Sequence, residues 1–214
     1  ERYALKVVKC TNTIDIVKQE IKALMHLKKQ LKNYDGPHVV RTEGLGINKD
    51  GELCVLMPLL QGTTDLEKVL SDAADNDNYI KLALRRQRNV LDELVCDLLE
   101  GLRVLHVVAK IVHRDIKPDN LMLSADGATL KILDFGVAVR IGHEADNRST
   151  GSPAFQPPEV ASGATAFSGT AMDVWASGVT LYIITLGRYP FDDAPNAYSL
   201  FDYIAHARYT VPDA

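Results

Sequence analysis

The segment His113-Arg114-Asp115-Ile116-Lys117-Pro118-Asp119-Asn120 and the run behind it constrain this chain more than any other feature. After Asn120 an apolar stretch, Leu121 to Leu133, is broken by the turn Ser124 to Ala128 and then runs straight into Asp134-Phe135-Gly136. The turn contains Asp126-Gly127, and Asp-Gly between apolar arms is a hairpin signal. Folding about it brings Asn120 and Asp134 together at the hairpin's open end. Two hard oxygen side chains there suit Mg²⁺, which keeps waters and takes few protein ligands when it sits on phosphates. Asp115, on the same loop, is within reach of a hydroxyl aligned on a terminal phosphate, where it would accept or orient that proton.

The rest of the chain reads as two unlike parts. Tyr3 to Val8 alternates as a strand, with Ala4, Lys6 and Val8 on one face. Val17, Ile21, Leu24, Leu27 and Leu31 form one stripe of a helix over Ile14 to Lys32. Val39 to Ile47 and Glu52 to Met57 flank Asp50-Gly51 as a second hairpin. Beyond Gly62 the pattern turns helical: a short helix over Asp65 to Leu70, an acidic insertion over Ser71 to Asn78, and a long amphipathic helix marked by Leu91, Leu94, Val95, Leu98, Leu102 and Leu105. Ala171 to Gly187 is apolar nearly all round and predicts a helix buried at the centre of its part; Asn196 to Arg208 predicts another. The fold class is thus α+β and bilobal: a small strand-rich lobe over residues 1–57, a joint over 58–62 and a larger helical lobe over 63–214.

Charge and cysteine usage narrow the function classes. A net charge of −4 and pI near 5.9 make a dedicated nucleic-acid binder a poor reading, because phosphate contacts want a basic surface. The nine Lys/Arg against four Asp/Glu between Glu1 and Arg41 read as a solvated helix face. Cys10, Cys54 and Cys96 sit far apart, in no metal or redox spacing, as in a reduced intracellular chain. Trp175 to Gly187 is shorter than the roughly 18 residues a membrane span needs.

In their order and interval, His113-Arg114-Asp115 with Lys117 and Asn120, then Asp134-Phe135-Gly136, then Pro157-Pro158-Glu159, resemble the protein-kinase signatures. The resemblance implies a bilobal kinase fold, ATP with Mg²⁺ (or Mn²⁺) as cofactors, and protein substrates. It makes Lys6 the strand lysine on the inner phosphates, Ala4 the roof over the adenine, Met122 the residue beneath the base, and Asn120 and Asp134 the metal ligands. Glu20 stands along the buried edge of its helix, where a carboxylate is costly unless paired, and Lys6 is its natural partner; Glu43 and Glu52 fit worse. Leu56-Met57-Pro58-Leu59 matches the hinge, with backbone groups of Met57 and Leu59 expected at the adenine edge. Lys117, with Ser152 as the hydroxyl bonding both catalytic Asp115 and catalytic Lys117, resembles the serine/threonine class.

A narrower resemblance, dense from His113 to Pro212, is to the liver-kinase tumour-suppressor family that activates AMP-activated kinase. It is carried by Gly151-Ser152-Pro153-Ala154-Phe155-Gln156-Pro157-Pro158-Glu159, Phe167-Ser168-Gly169, Gly178-Val179-Thr180-Leu181-Tyr182 and Tyr189-Pro190-Phe191. It implies an upstream role in energy-sensing or polarity signalling, a cytoplasmic and nuclear location, and activation by a pseudokinase and a helical-repeat scaffold. Phosphorylation of Ser149 or Thr150, received by Arg114, is the other route. The family pattern also implies a partial domain, without the glycine-rich loop before Lys6 and without the last helices. A pseudokinase scaffold that binds ATP without catalysis is the competing reading; the presence of Lys6, Glu20, Asp115, Asn120 and Asp134 together argues against it.

Overall fold

The structure, a computed structural model, describes residues 2–8, 14–60, 64–68, 70, 88–124, 129–142, 151–164 and 167–211. Strand β1 (Tyr3–Val8) turns Ala4, Lys6 and Val8 inward and leaves Tyr3, Leu5 and Val7 exposed, the period-two consequence of its sequence. It pairs antiparallel with β3 (Leu53–Pro58), Ala4 opposite Met57 and Lys6 opposite Val55. On the other side β3 pairs with β2 (Gly44–Ile47), giving the order β1-β3-β2. The β2–β3 turn is held by Asn48, whose Oδ1 accepts the amides of Asp50 and Glu52 at 3.0 and 2.9 Å, while Gly51 takes φ 79°.

The second hairpin is shorter than its apolar run. Val39 forms a parallel bridge with Ile132, and the Val40 amide donates to Ile132 O at 3.0 Å. Both valines are nearly inaccessible, so this stretch joins the strand-rich part to the helical part instead of lengthening β2.

Helix α1 (Ile14–Gln30) buries Leu24 and Leu27 on one stripe, and Leu31 continues the line just past its end. Each such leucine contributes about 1.5–3 kcal/mol. Helix α2 (Arg88–Arg103) does the same with Leu94, Leu98 and Leu102, then widens into a π-helical turn, Val104–Ala109, closed by Lys110 at φ 55°. A short β4 (Thr64–Asp65) occupies the start of the segment expected to be helical; helix begins only at Leu66. The acidic insertion over Ser71 to Asn78 lies outside the described residues.

Strand β5 (Ile111–Val112) leads into the loop of His113 to Lys117, followed by the 3₁₀ turn Pro118–Asn120 and the hairpin β6 (Leu121–Leu123) and β7 (Leu130–Ile132). β4 flanks β6, and β5 pairs with β8 (Val139–Arg140). Around the turn the Ser124 amide meets Thr129 O at 2.9 Å; residues 125–128 lie outside the described residues.

Helix α3 (Gly169–Leu186) is capped at its start by Ser168 and stopped by Gly187 at φ 71°, whose amide donates to Ile183 O. It is not buried all round as its composition implied: Met172, Ala176, Val179, Ile183 and Ile184 pack inward, but Val174 is 57% exposed. Helix α4 (Ala197–Ala205) begins at the cap Asn196 and ends three residues before the expected Arg208.

Candidate active site

A cavity of about 340 Å³ opens between β1, the end of β3 and the β6–β7 hairpin. Ala4, Val40 and Met57 wall one side; Met122 and Leu133 wall the other. Its polar end holds Lys6 from β1 with Asn120 and Asp134, the latter two brought together because Leu121 pairs with Ile132 and the Leu133 amide donates to Asn120 O at 2.9 Å.

One expected contact is not what the fold provides. The Leu59 amide already donates to Arg2 O at 3.0 Å, and alternation along β3 turns the backbone groups of Met57 the same way, towards β1. Leu56 faces the opposite side, its carbonyl accepting from the Glu43 amide, and the Pro58 carbonyl shares that direction beyond the end of β2. The Leu59 amide is thus bonded to Arg2 and the Met57 backbone faces β1, a parity that the apolar run alone did not reveal, although both residues still line the cavity.

Lys6 stands between two carboxylates. Its Nζ is 2.5 Å from Asp134 Oδ1 and 3.8 Å from Glu20 Oε1. Glu20 is 5% exposed, and burial raises its carboxyl above the usual range, with Lys6 opposing and Asp134 adding to the shift. Burial pushes Asp134 upward too, but the hydrogen bond and charge of Lys6 and the Gly136 amide at 3.1 Å more than offset it, so the net direction is down. Two carboxylates against one ammonium leave a deficit of positive charge that suits a divalent cation.

The donor set fits Mg²⁺. Asp134 Oδ1 is taken by Lys6 and Gly136, leaving Oδ2 without a partner among the described residues. Asn120 commits its amide nitrogen to Asp115, at 2.8 Å to O and 3.0 Å to Oδ2, leaving Oδ1 as a ligand. Two protein oxygens match an ion that retains water and binds phosphate. Among the described residues no group of three or more His, Cys, Asp or Glu gathers as an all-protein metal cage.

Asp115 is held from three directions. Its Oδ1 accepts from the Ser152 amide at 3.0 Å and the Ser152 hydroxyl at 3.1 Å; its Oδ2 is 3.3 Å from Lys117 Nζ. Lys117 in turn donates to Ser152 Oγ at 2.8 Å, so aspartate, lysine and serine form a closed set, the contact that the resemblance to the serine/threonine class implies. Gly151 makes the approach possible: at φ 94°, an added Cβ would lie 2.3 Å from Arg114 O. Arg114 itself, at φ 68°, donates Nε to Val137 O at 2.7 Å. Ser149 and Thr150 lie outside the described residues.

The supporting layer gives Asp173 and His113 structural roles that neither motif nor pattern had assigned them. Asp173, fully buried near the start of α3, accepts the His113 amide at 2.8 Å and the Arg114 amide at 2.7 Å, and His106 Nε2 lies 2.8 Å from the same carboxylate. The His113 ring meets Leu133 O at 2.7 Å through Nε2 and packs edge-on against Phe135, centroids 5.3 Å apart. One carboxylate thereby sets the backbone of the Asp115 loop, and one imidazole ties that loop to the segment carrying Asp134. The available signal was the lone aspartate in an otherwise apolar helix.

Compared with known proteins, the chain matches the protein kinase domain family over residues 1–209. It is 51% identical over 122 residues to serine/threonine-protein kinase stk11 of Xenopus laevis, covering 55% of this chain and 28% of that protein. It is 50% identical over 121 residues to serine/threonine-protein kinase STK11 of Homo sapiens, covering 55% of this chain and 27% of the relative. Against the serine/threonine-protein kinase stk11 homolog of Dictyostelium discoideum it is 33% identical over 220 residues, all of this chain and 35% of that protein. The chain thus spans about a quarter to a third of the length of these relatives.

Proposed function

The chain belongs to the protein kinase domain family, and from that premise we propose that it transfers the terminal phosphate of ATP to serine and threonine hydroxyls of protein substrates. The observation that carries the reading is Asp115: a carboxylate braced by Ser152, Lys117 and Asn120 near the cavity end that holds Lys6 and Asp134. Asp115 accepts or orients the proton of the incoming hydroxyl. Lys117, 3.3 Å from that carboxylate, places a second cation where charge gathers on the moving phosphoryl group. Lys6 engages the inner phosphates, with Glu20 as its positioning partner, while Ala4 and Met122 enclose the base. Asn120 and Asp134 would hold Mg²⁺, which when bound neutralises phosphate charge.

The finer reading rests on resemblance to the stk11 relatives: an upstream kinase in energy-sensing or polarity signalling, cytoplasmic and nuclear, switched on by a pseudokinase and a helical-repeat scaffold. The test of the chemistry is Asp115→Asn in the full-length protein. Transfer to a serine/threonine peptide falls about 10²–10⁴-fold while ATP·Mg²⁺ affinity changes little. Near-normal turnover in the variant overturns the assignment.

A further inference from the structure

Away from this site, a cavity of about 440 Å³ lies between the C-terminal half of α1 and the segment entering β2. Its apolar lining is Met25, 61% exposed, with Leu27 and Leu31 beneath. Among the described residues four cations ring it, Lys28, Lys29, Lys32 and Arg41, against the single carboxylate of Glu43. Lys28 and Arg41 are tied down: Lys28 Nζ donates to Glu43 O, and Arg41 is 3.6 Å from Glu43 and 3.9 Å from Asp35. Lys29 and Lys32 are exposed and pair with no carboxylate among the described residues. The local excess of positive charge also reaches Lys131, whose ammonium is held below its usual range by burial first and by Arg41 second.

We propose that this cavity is a docking site for an acidic segment of a protein partner, which lowers one large apolar side chain onto Met25 and sets flanking carboxylates against Lys29 and Lys32. Charge complementarity selects that occupant. In a chain of net charge −4 the excess of cations around the recess has no partner among the described residues, and an acidic peptide supplies both the counter-charge and a side chain for the apolar floor. A bilayer is the poorer fit, because its headgroup charges lie in a plane and cannot follow a recess. The role is independent of the chemistry at Asp115.

The experiment uses the full-length protein and a short fluorescein-labelled polyglutamate peptide with one central phenylalanine, read by anisotropy at physiological ionic strength. Binding is expected, weakened roughly tenfold or more by Lys29→Glu combined with Lys32→Glu, two exposed positions whose reversal leaves the fold intact by circular dichroism. Replacing the peptide's phenylalanine by serine weakens binding comparably, and Met25→Asp reproduces that loss from the protein side. No binding, equal binding by the charge-reversed protein, or equal binding of the serine peptide overturns the proposal. So does retention on phosphatidylserine vesicles without peptide binding, which makes the patch a membrane contact.

Discussion

At Asp115 the carboxylate keeps its aim because a neighbouring glycine has no side chain. The Ser152 amide reaches Oδ1 only if the chain passes within contact of Arg114 O, at a φ of 94° that L-residues avoid. Gly151→Ala therefore loses about 1–3 kcal/mol from backbone strain alone. Turnover should fall with it, by more than in Ser152→Ala, which keeps the amide; urea melts and steady-state kinetics on the two variants check both effects. Glu20 makes a separate prediction about pH. Its folded carboxyl titrates above the ordinary value of 4.5, so the native state holds the proton longer than the unfolded chain. Its contribution is complete below pH 4.5 and is lost as pH rises through the folded value. Relative to Glu20→Gln, the wild type should lose stability across that window and run parallel above it, measured by denaturant melts stepped up from pH 4. Asp134 has the opposite sign: its lowered value gives stability above 3.8 that fades as pH falls through the folded value.

Secondary-structure elements carry these residues by burying polar groups in pairs. α3 is the clearest case, because Asp173 sits within an apolar helix with no exposure and satisfies two amides of the loop before Asp115. Removing the carboxylate strands both donors, at about 1–3 kcal/mol each. Asp173→Ala should thus destabilise the protein by several kcal/mol and lower turnover with it. Asp173→Asn keeps one carbonyl acceptor and should fall between; an Asn variant as damaged as Ala removes this account. The stripes of α1 and α2 and the alternation of β1 were legible beforehand, since helix and strand periods act on neighbouring residues. The bridge of Val39 to Ile132 and the π-helical turn at Val104 were not, for each answers to a surface supplied from elsewhere in the chain.

Across the whole molecule, strand-rich and helical parts meet at Lys6, on β1, and Asp134, beyond β7. The ion pair is 128 residues apart in sequence and stands at the polar end of the cavity. A ligand bridging the two parts should stabilise them together, by about 2.7 kcal/mol at a hundredfold excess over its Kd. In a thermal shift assay ATP·Mg²⁺ should raise the melting temperature of the full-length protein. Lys6→Met should abolish most of that rise, and a chelator should remove the portion that depends on Asp134 and Asn120. An undiminished shift in Lys6→Met would place the nucleotide elsewhere.

Spacing along the chain was enough for the α+β order of elements and the hairpin that joins Asn120 to Asp134, because each follows from local periodicity or turn chemistry, while the set of Asp115, Lys117 and Ser152 was what the family resemblance implied. Tertiary structure alone decided the rest. Strand parity turned the Met57 backbone and the Leu59 amide towards β1, a choice made by the register and invisible in an apolar run. Burial decided that Glu20 is held above its ordinary titration range, and contact across the cavity decided that Lys6 lies closer to Asp134 than to Glu20. Asp173 was plain in the sequence as a residue and silent as to its work. A buried carboxylate takes its function from the amides that surround it, and those arrive only when the chain has closed.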